Sequence, residues 1–241
     1  MVLKPIKRQK VWQQVEKQIK DLIINNKLKI GDKLPSEKEL AEKLKVGRRS
    51  VREALHSLQK MGMIEIVQGK GSFLTAAKVD TYLETLATSI SLKLLEEKDT
   101  LWELMEVRKI LEAEVAFLSA ERSSSQDLRL MRLSLNRQEE GIRRKNLELF
   151  NKGDLDFHNA IVRGCKNSIL ESIYSNLSTL MLDSRILTNK IPGVPEKSLK
   201  DHMNIYLAIK AKDPKKARNF MINHIRETEM NMRIMLEKKD F

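Results

Sequence analysis

The sequence holds a single cysteine, Cys165, so it can form neither an intrachain disulfide nor a cysteine-based zinc cluster. A lone cysteine of this kind reads as a small buried core residue. Nowhere does the chain approach the roughly 18 consecutive apolar residues that a membrane span needs. The N-terminus is basic but no apolar h-region follows it, so no secretory signal is expected and the chain is expected in the cytoplasm. Aromatics are scarce, at 5% of 241 residues, which leaves Leu, Ile and Met to fill the core and suits helix-on-helix packing. Between Ala77 and Glu140 there is no glycine or proline, so long helices run there without punctuation.

Charge is abundant instead. Lys and Arg outnumber Asp and Glu by 45 to 33, a net of +12. The excess is concentrated: residues 1–76 carry 17 basic and 8 acidic side chains, a net of +9, and the remaining 165 residues carry only +3. A basic module attached to a nearly balanced one suggests a polyanionic partner for the first. The boundary falls near residues 76–80, with no Pro- or Ser-rich linker, giving two domains, 1–76 and 77–241.

The first domain reads as three helices and a hairpin. Val11, Val15, Ile19 and Leu22 share a face of the first helix. Gly31 and Pro35 break the chain, and Ser36 with Glu39 forms a capping box that starts the second helix. Leu40, Ala41 and Leu44 are its buried side. After a turn at Val46-Gly47, the stripe Val51, Ala54, Leu55, Leu58 marks a third helix, ended by Gly62. Met63–Val67 and Ser72–Thr75 read as short strands joined through Gly69 and Gly71. This order is that of a winged helix-turn-helix. Arg48, Arg49 and Arg52 lie in the first turns of the third helix, away from its apolar stripe, where a recognition helix meets base edges. Arginine suits a bidentate contact with guanine O6 and N7. Lys7, Arg8 and Lys10 are within the sequence reach of phosphates, and a basic tail without structure is an equal reading.

The second domain reads as helix after helix, six or seven in an antiparallel bundle. Asp99-Thr100 and Asp213-Pro214 are start signals, and the periodicity is interrupted near Gly141, Gly153, Gly164 and the loop 191–195. There are four histidines. His56 falls in the first domain. Asp154 and His158 are four residues apart on one predicted helix and point to one side. His202 and His224 fall in later helices. Such a set suits Zn, Ni, Mn or Fe(II); spacing alone leaves a divalent-metal site and ordinary hydrogen-bonded histidines both open.

The segments Leu34-Pro35-Ser36-Glu37-Lys38-Glu39-Leu40-Ala41 and Val46-Gly47-Arg48-Arg49-Ser50-Val51-Arg52-Glu53-Ala54-Leu55, with the wing Gly69-Lys70-Gly71-Ser72-Phe73, resemble the DNA-binding domain of the GntR superfamily of transcription regulators. The run from Leu104 to Glu112, then Asp154 through His158, Asn167, His202 and His224, is similar to the FCD effector domain of the branch that includes the fatty-acid regulator. The resemblance implies a mostly α protein, a winged helix-turn-helix followed by an FCD-like all-α bundle. It implies a homodimer on a palindromic double-stranded DNA operator, with no membrane role and no catalysis. It implies DNA contacts from Lys38, Arg48, Arg52, Gln68 and Gly69, with Arg49 an additional charge beside them. Lys38 stands where the family usually has Arg, and Gly47 where it has a capping Ser or Thr. The resemblance further implies a divalent metal, zinc first, on Asp154, His158, His202 and His224, holding a small carboxylate effector, an organic or sugar acid. Arg108 corresponds to an arginine lining the effector cavity, its alternative being a surface ion pair with Glu112. Tyr174, Asn176 and Arg185 are further cavity candidates that sequence does not place. Two other functions stay open: an architectural DNA-binding dimer indifferent to small molecules, and a metal-dependent enzyme fused to a DNA-binding domain.

Overall fold

The computed structural model describes residues 10–25, 28–75, 79–97 and 99–237. Lys7, Arg8 and the junction at 76–78 lie outside them. The chain forms two compact units, Met1–Tyr82 and Leu83–Phe241. No described helix is long and apolar enough to cross a membrane.

The first unit contains α1 (Val11–Ile24), α2 (Glu37–Leu44), α3 (Arg48–Lys60) and an antiparallel hairpin of β1 (Ile64–Val67) and β2 (Gly71–Leu74). The capping box of α2 is formed: Glu39 N–H donates to Ser36 Oγ at 3.3 Å, and Ser36 N–H donates to Glu39 Oε2 at 2.7 Å. Val51, Ala54, Leu55 and Leu58 are fully buried against Val15, Ile19, Leu40, Ile64 and Leu74. The expected face of α1 is turned. Val15 and Ile19 are buried with Trp12 and Ile23 packed beside them, whereas Val11 and Leu22 stay exposed. At about 100° per residue Val11 and Leu22 fall together on one edge of this stripe, and the core lies towards its other edge, where Trp12 and Ile23 are. The hairpin pairs Ile64 with Leu74 and Val67 with Gly71, and Gly69 and Gly71 take the positive φ (75° and 110°) its tight turn demands.

The second unit is a bundle of α4 (Val79–Glu96), α5 (Thr100–Arg122), α6 (Ser125–Arg143), α7 (Leu147–Gly164), α8 (Ser168–Leu180), α9 (Leu182–Thr188), α10 (Val194–Lys210) and α11 (Pro214–Glu237). The expected six or seven helices become eight among the described residues because α8 and α9 break at Met181. Side chains start most of them. Ser124 and Asp127 form a capping box on α6; Asn146 caps α7; Asn167 caps α8; Asp213 Oδ1 accepts from Lys216 N–H on α11. Asp99 precedes α5 as expected but makes no side-chain cap. Phe157, Ile161, Met131, Leu135, Ile205, Ile209, Met221 and Ile225 form the centre of the core, and Cys165 is buried among them.

Helices do end close to two of the expected glycines, α6 two residues past Gly141 and α7 at Gly164, whereas Gly153 lies in the middle of α7. All three stand where neighbouring chain comes close. A Cβ on Gly153 would stand 2.8 Å from the Gln138 backbone nitrogen and 2.9 Å from the Ser134 carbonyl oxygen, so α6 and α7 pack backbone to backbone there. Gly153→Ala should therefore push the two helices apart and destabilise the bundle by about 1–3 kcal/mol, the range for overpacked cores. Chemical denaturation reads this directly; an unchanged midpoint would mean that α6 gives way without loss.

Candidate functional site

Two groups of polar residues stand out, one in each unit. On the first unit, the apolar stripe of α3 turns Arg48, Arg49 and Arg52 outward, and all three are exposed. Lys38 on α2 and Gln68 and Gly69 at the tip of the hairpin are exposed as well. Gly47 begins α3 with no side-chain cap, leaving the first backbone N–H groups of that helix open. Such groups, with the helix dipole, favour phosphate. The three arginines differ in their surroundings. Arg48 has no ion pair among the described residues; Arg49 donates through Nε to Glu53 at 3.2 Å; Arg52 is held by Glu37 of α2.

In the second unit, His158 of α7, His202 of α10 and His224 of α11 meet in the bundle core, each at most 4% exposed. Each offers one nitrogen, and the three lie within 4.8 Å of one another. His202 Nε2 and His224 Nε2 are 3.2 Å apart. Two ligands on one tetrahedral zinc, with Zn–N near 2.0–2.1 Å, stand about 3.3 Å apart.

The outer ring nitrogens explain which lone pairs face inward. Gln138 of α6 donates through Nε2 to the Gly153 carbonyl, so its Oε1 is the atom turned to His202 Nδ1, at 2.8 Å. An oxygen there only accepts, so His202 Nδ1 carries the proton and its Nε2 presents a lone pair to the centre. His158 Nδ1 lies 2.5 Å from Glu112 Oε2 of α5, and His224 Nδ1 lies 3.9 Å from Asp201 Oδ2. His158 Nε2 is buried without a hydrogen-bond partner in the structure. For His202 and His158 this close amide or carboxylate oxygen is the support that metal-ligating histidines carry, whereas Asp201 stands beyond hydrogen-bond distance of His224. Burial above all, then the neighbouring imidazoles, pushes His202 and His224 well below the ordinary imidazole pKa, so both are neutral at pH 7. A buried polar atom with no partner is costly in a dry core. A divalent cation fits this donor set.

Asp154 sits beside the three imidazoles rather than among them. Its Oδ1 is 3.7 Å from His202 Nε2, and its Oδ2 accepts from Arg185 Nη1 at 3.2 Å. Burial alone would raise its pKa, but Arg185 and the histidines outweigh that and keep it a carboxylate. Arg108 does pair with Glu112, Nε to Oε1 at 2.5 Å, though not on the surface: both are buried. Burial likewise opposes ionisation of Glu112, and Arg108 and His158 override it, holding its pKa well below the usual value. Each of the two carboxylates is thus shared between an arginine and a histidine. Arg108, Glu112, Tyr174 and Arg185 line one small enclosed pocket whose walls include Leu104 and Leu177. Arg108 Nη1 is buried there without a hydrogen-bond partner, and the Tyr174 hydroxyl is buried close to Arg185. Asn176 lies elsewhere, lining an apolar groove between α4, α5 and α8. Sequence reasoning missed Gln138, which has no motif around it, and gave Glu112 only as a partner of Arg108.

Residues 12–74 match the gntR family of bacterial regulatory proteins, and residues 103–227 match the FCD domain. The HTH-type transcriptional regulator LutR of Bacillus subtilis is 35% identical over 86% of this chain and 94% of its own length. The HTH-type transcriptional repressor NanR of Salmonella newport is 26% identical over 92% of this chain and 85% of its own. Among solved structures, a GntR protein of Streptococcus agalactiae superposes with a TM-score of 0.60 at 27% identity, covering 89% of this chain and 97% of that one. A helix-turn-helix with its wing followed by a helical domain is thus matched along nearly the whole chain, which belongs to the GntR family of bacterial transcription regulators, in the branch that carries an FCD domain.

Proposed function

We propose that this protein is a cytoplasmic, homodimeric transcription regulator whose operator binding responds to a small carboxylate held on a divalent metal. Residues 1–76 serve as the DNA-binding domain and residues 77–241 as the effector and dimerisation domain. Arg48 and Arg52 read base edges; Lys38, Arg49, Gln68 and Gly69 position the protein on phosphates. A twofold dimer then requires a palindromic site. His158, His202 and His224 hold the metal, with Asp154 as a fourth ligand once its oxygen turns from the edge of the cluster. When bound, the metal supplies an electrophilic anchor for a carboxylate, and Arg108 faces the rest of the effector. Zinc suits three imidazoles and one carboxylate, as do nickel, manganese and iron.

The observation that carries this reading is the convergence of three buried imidazoles, two of them, His202 and His158, with an oxygen close behind the far ring nitrogen. The pocket beside Arg108 has room for about 10 Å³, at the limit for a single water, so admitting an acid requires α8 or α9 to move. Such a movement is a means by which an effector of unequal affinity for two conformations shifts their populations. Native mass spectrometry of the purified protein, with and without a chelator, tests the reading: a dimer mass carrying one metal per chain, lost on chelation, is expected. An operator affinity indifferent to chelators and to every carboxylate tried would favour the architectural alternative.

A further inference from the structure

The DNA-facing side of α2 and α3 contains a carboxylate, Glu37, that works against phosphate binding by its charge. It is the first residue of α2, fixed in place by the Ser36 capping box. Glu37 accepts from Arg52 Nε, at 3.1 Å through Oε1 and 3.2 Å through Oε2, and from Arg52 Nη2 at 2.8 Å through Oε2. It therefore takes one whole edge of the guanidinium. A guanidinium has two edges that present parallel N–H groups, Nε/Nη2 and Nη1/Nη2. With the first taken, the second remains for guanine O6 and N7, which demand a parallel pair of donors. Arg48, one turn earlier on the same face, has no such partner among the described residues.

We propose that Glu37 is a specificity-determining positioning residue: by gripping the Nε/Nη2 edge of Arg52 it presents the Nη1/Nη2 edge end-on to a guanine. The pair is half-exposed, so its worth as an ion pair is small, and its effect lies in orientation. A planar fork aimed before contact loses less freedom on binding than a free one. Glu37 thus trades general DNA affinity for discrimination at one base pair per half-site. The proposal rests on the reading of α3 as the operator-reading helix.

The test uses the full-length protein and a random-sequence duplex library, from which the wild type selects a consensus. Binding of the wild type, Glu37→Ala, Glu37→Gln, Arg52→Ala and the double variant Glu37→Ala/Arg52→Ala is then measured on the consensus, its single-base variants and a scrambled duplex. Glu37→Ala should bind the consensus about tenfold more weakly, with the loss confined to the guanine that Arg52→Ala also ceases to distinguish. It should bind the scrambled duplex as well as the wild type, or two- to threefold better, because a negative charge has left the interface. Glu37→Gln, which keeps an acceptor, should fall between. The double variant should lose no more than Arg52→Ala alone, since the two residues act through one contact. Equal loss on consensus and scrambled DNA, loss spread over many positions, full additivity in the double variant, or no loss at all would each overturn the role of Glu37. A wild type that selects no consensus, or an Arg52→Ala variant that discriminates normally, would instead overturn the reading of α3.

Discussion

Replacing His202 by alanine is expected to strip the protein of stoichiometric metal and to abolish its response to the effector, while DNA binding without effector persists. His202 is fully buried and packs against Phe157 at a ring-centroid distance of 4.6 Å, so nothing else in the core moves easily into its place. Loss of a supporting residue behind a ligand weakens metal binding by about 10–100-fold, and loss of the ligand itself exceeds that. A metal held at 1,000 times its dissociation constant adds about 4 kcal/mol to the folded state, and this too should vanish. The truncation also opens a cavity, so the decisive comparison is with and without a chelator. Wild type should melt at a lower temperature once chelated, whereas His202→Ala and the better-filling His202→Gln should melt at the same temperature either way. Elemental analysis on the same samples completes the test. Wild type that carries no metal when prepared without chelators, and melts indifferently to added zinc, would sink the metal centre altogether.

The second large effect concerns DNA. Arg52→Ala should weaken operator binding by roughly 1–3 kcal/mol, about 5- to 150-fold, and relax the preference at one base pair per half-site. The magnitude follows from the chemistry of a bidentate arginine–guanine contact, which an alanine at this position cannot make. Arg52 is exposed, and its ion pair with Glu37 lies at the surface, where such pairs add little stability, so the fold should be nearly unaffected. Lys38→Ala offers the contrast. A phosphate contact carries no sequence information, so it should weaken specific and random DNA alike and flatten the salt dependence by about one ion. Equal losses for Arg52→Ala on operator and random duplexes would show that this arginine contacts backbone rather than bases.

How far these residues could be read without coordinates depended on whether their setting was local. The capping box at Ser36, the apolar stripe of α3 and the glycines of the hairpin act over a few residues, and each appears where the sequence puts it. Helix ends in the second unit were less legible. Lys145, Lys166 and Lys212 take the left-handed conformation just past α6, α7 and α10, at positions where glycine is the usual signal. The glycines of this region serve a different purpose, close helix approach, which is a property of two segments and not of one.

By itself, then, the sequence determined the order of elements, the charge asymmetry, the outward arginines and the three histidines, because each follows from residue type and short-range periodicity. Tertiary structure alone decided that the imidazoles share one centre, that Gln138 sets the tautomer of His202, that Asp154 divides itself between Arg185 and the histidines, and that Arg52 is gripped by Glu37. Those partners lie tens of residues apart along the chain, or on separate helices, and the register of one helix against another follows from how their side chains interlock, a condition no single stretch of sequence contains.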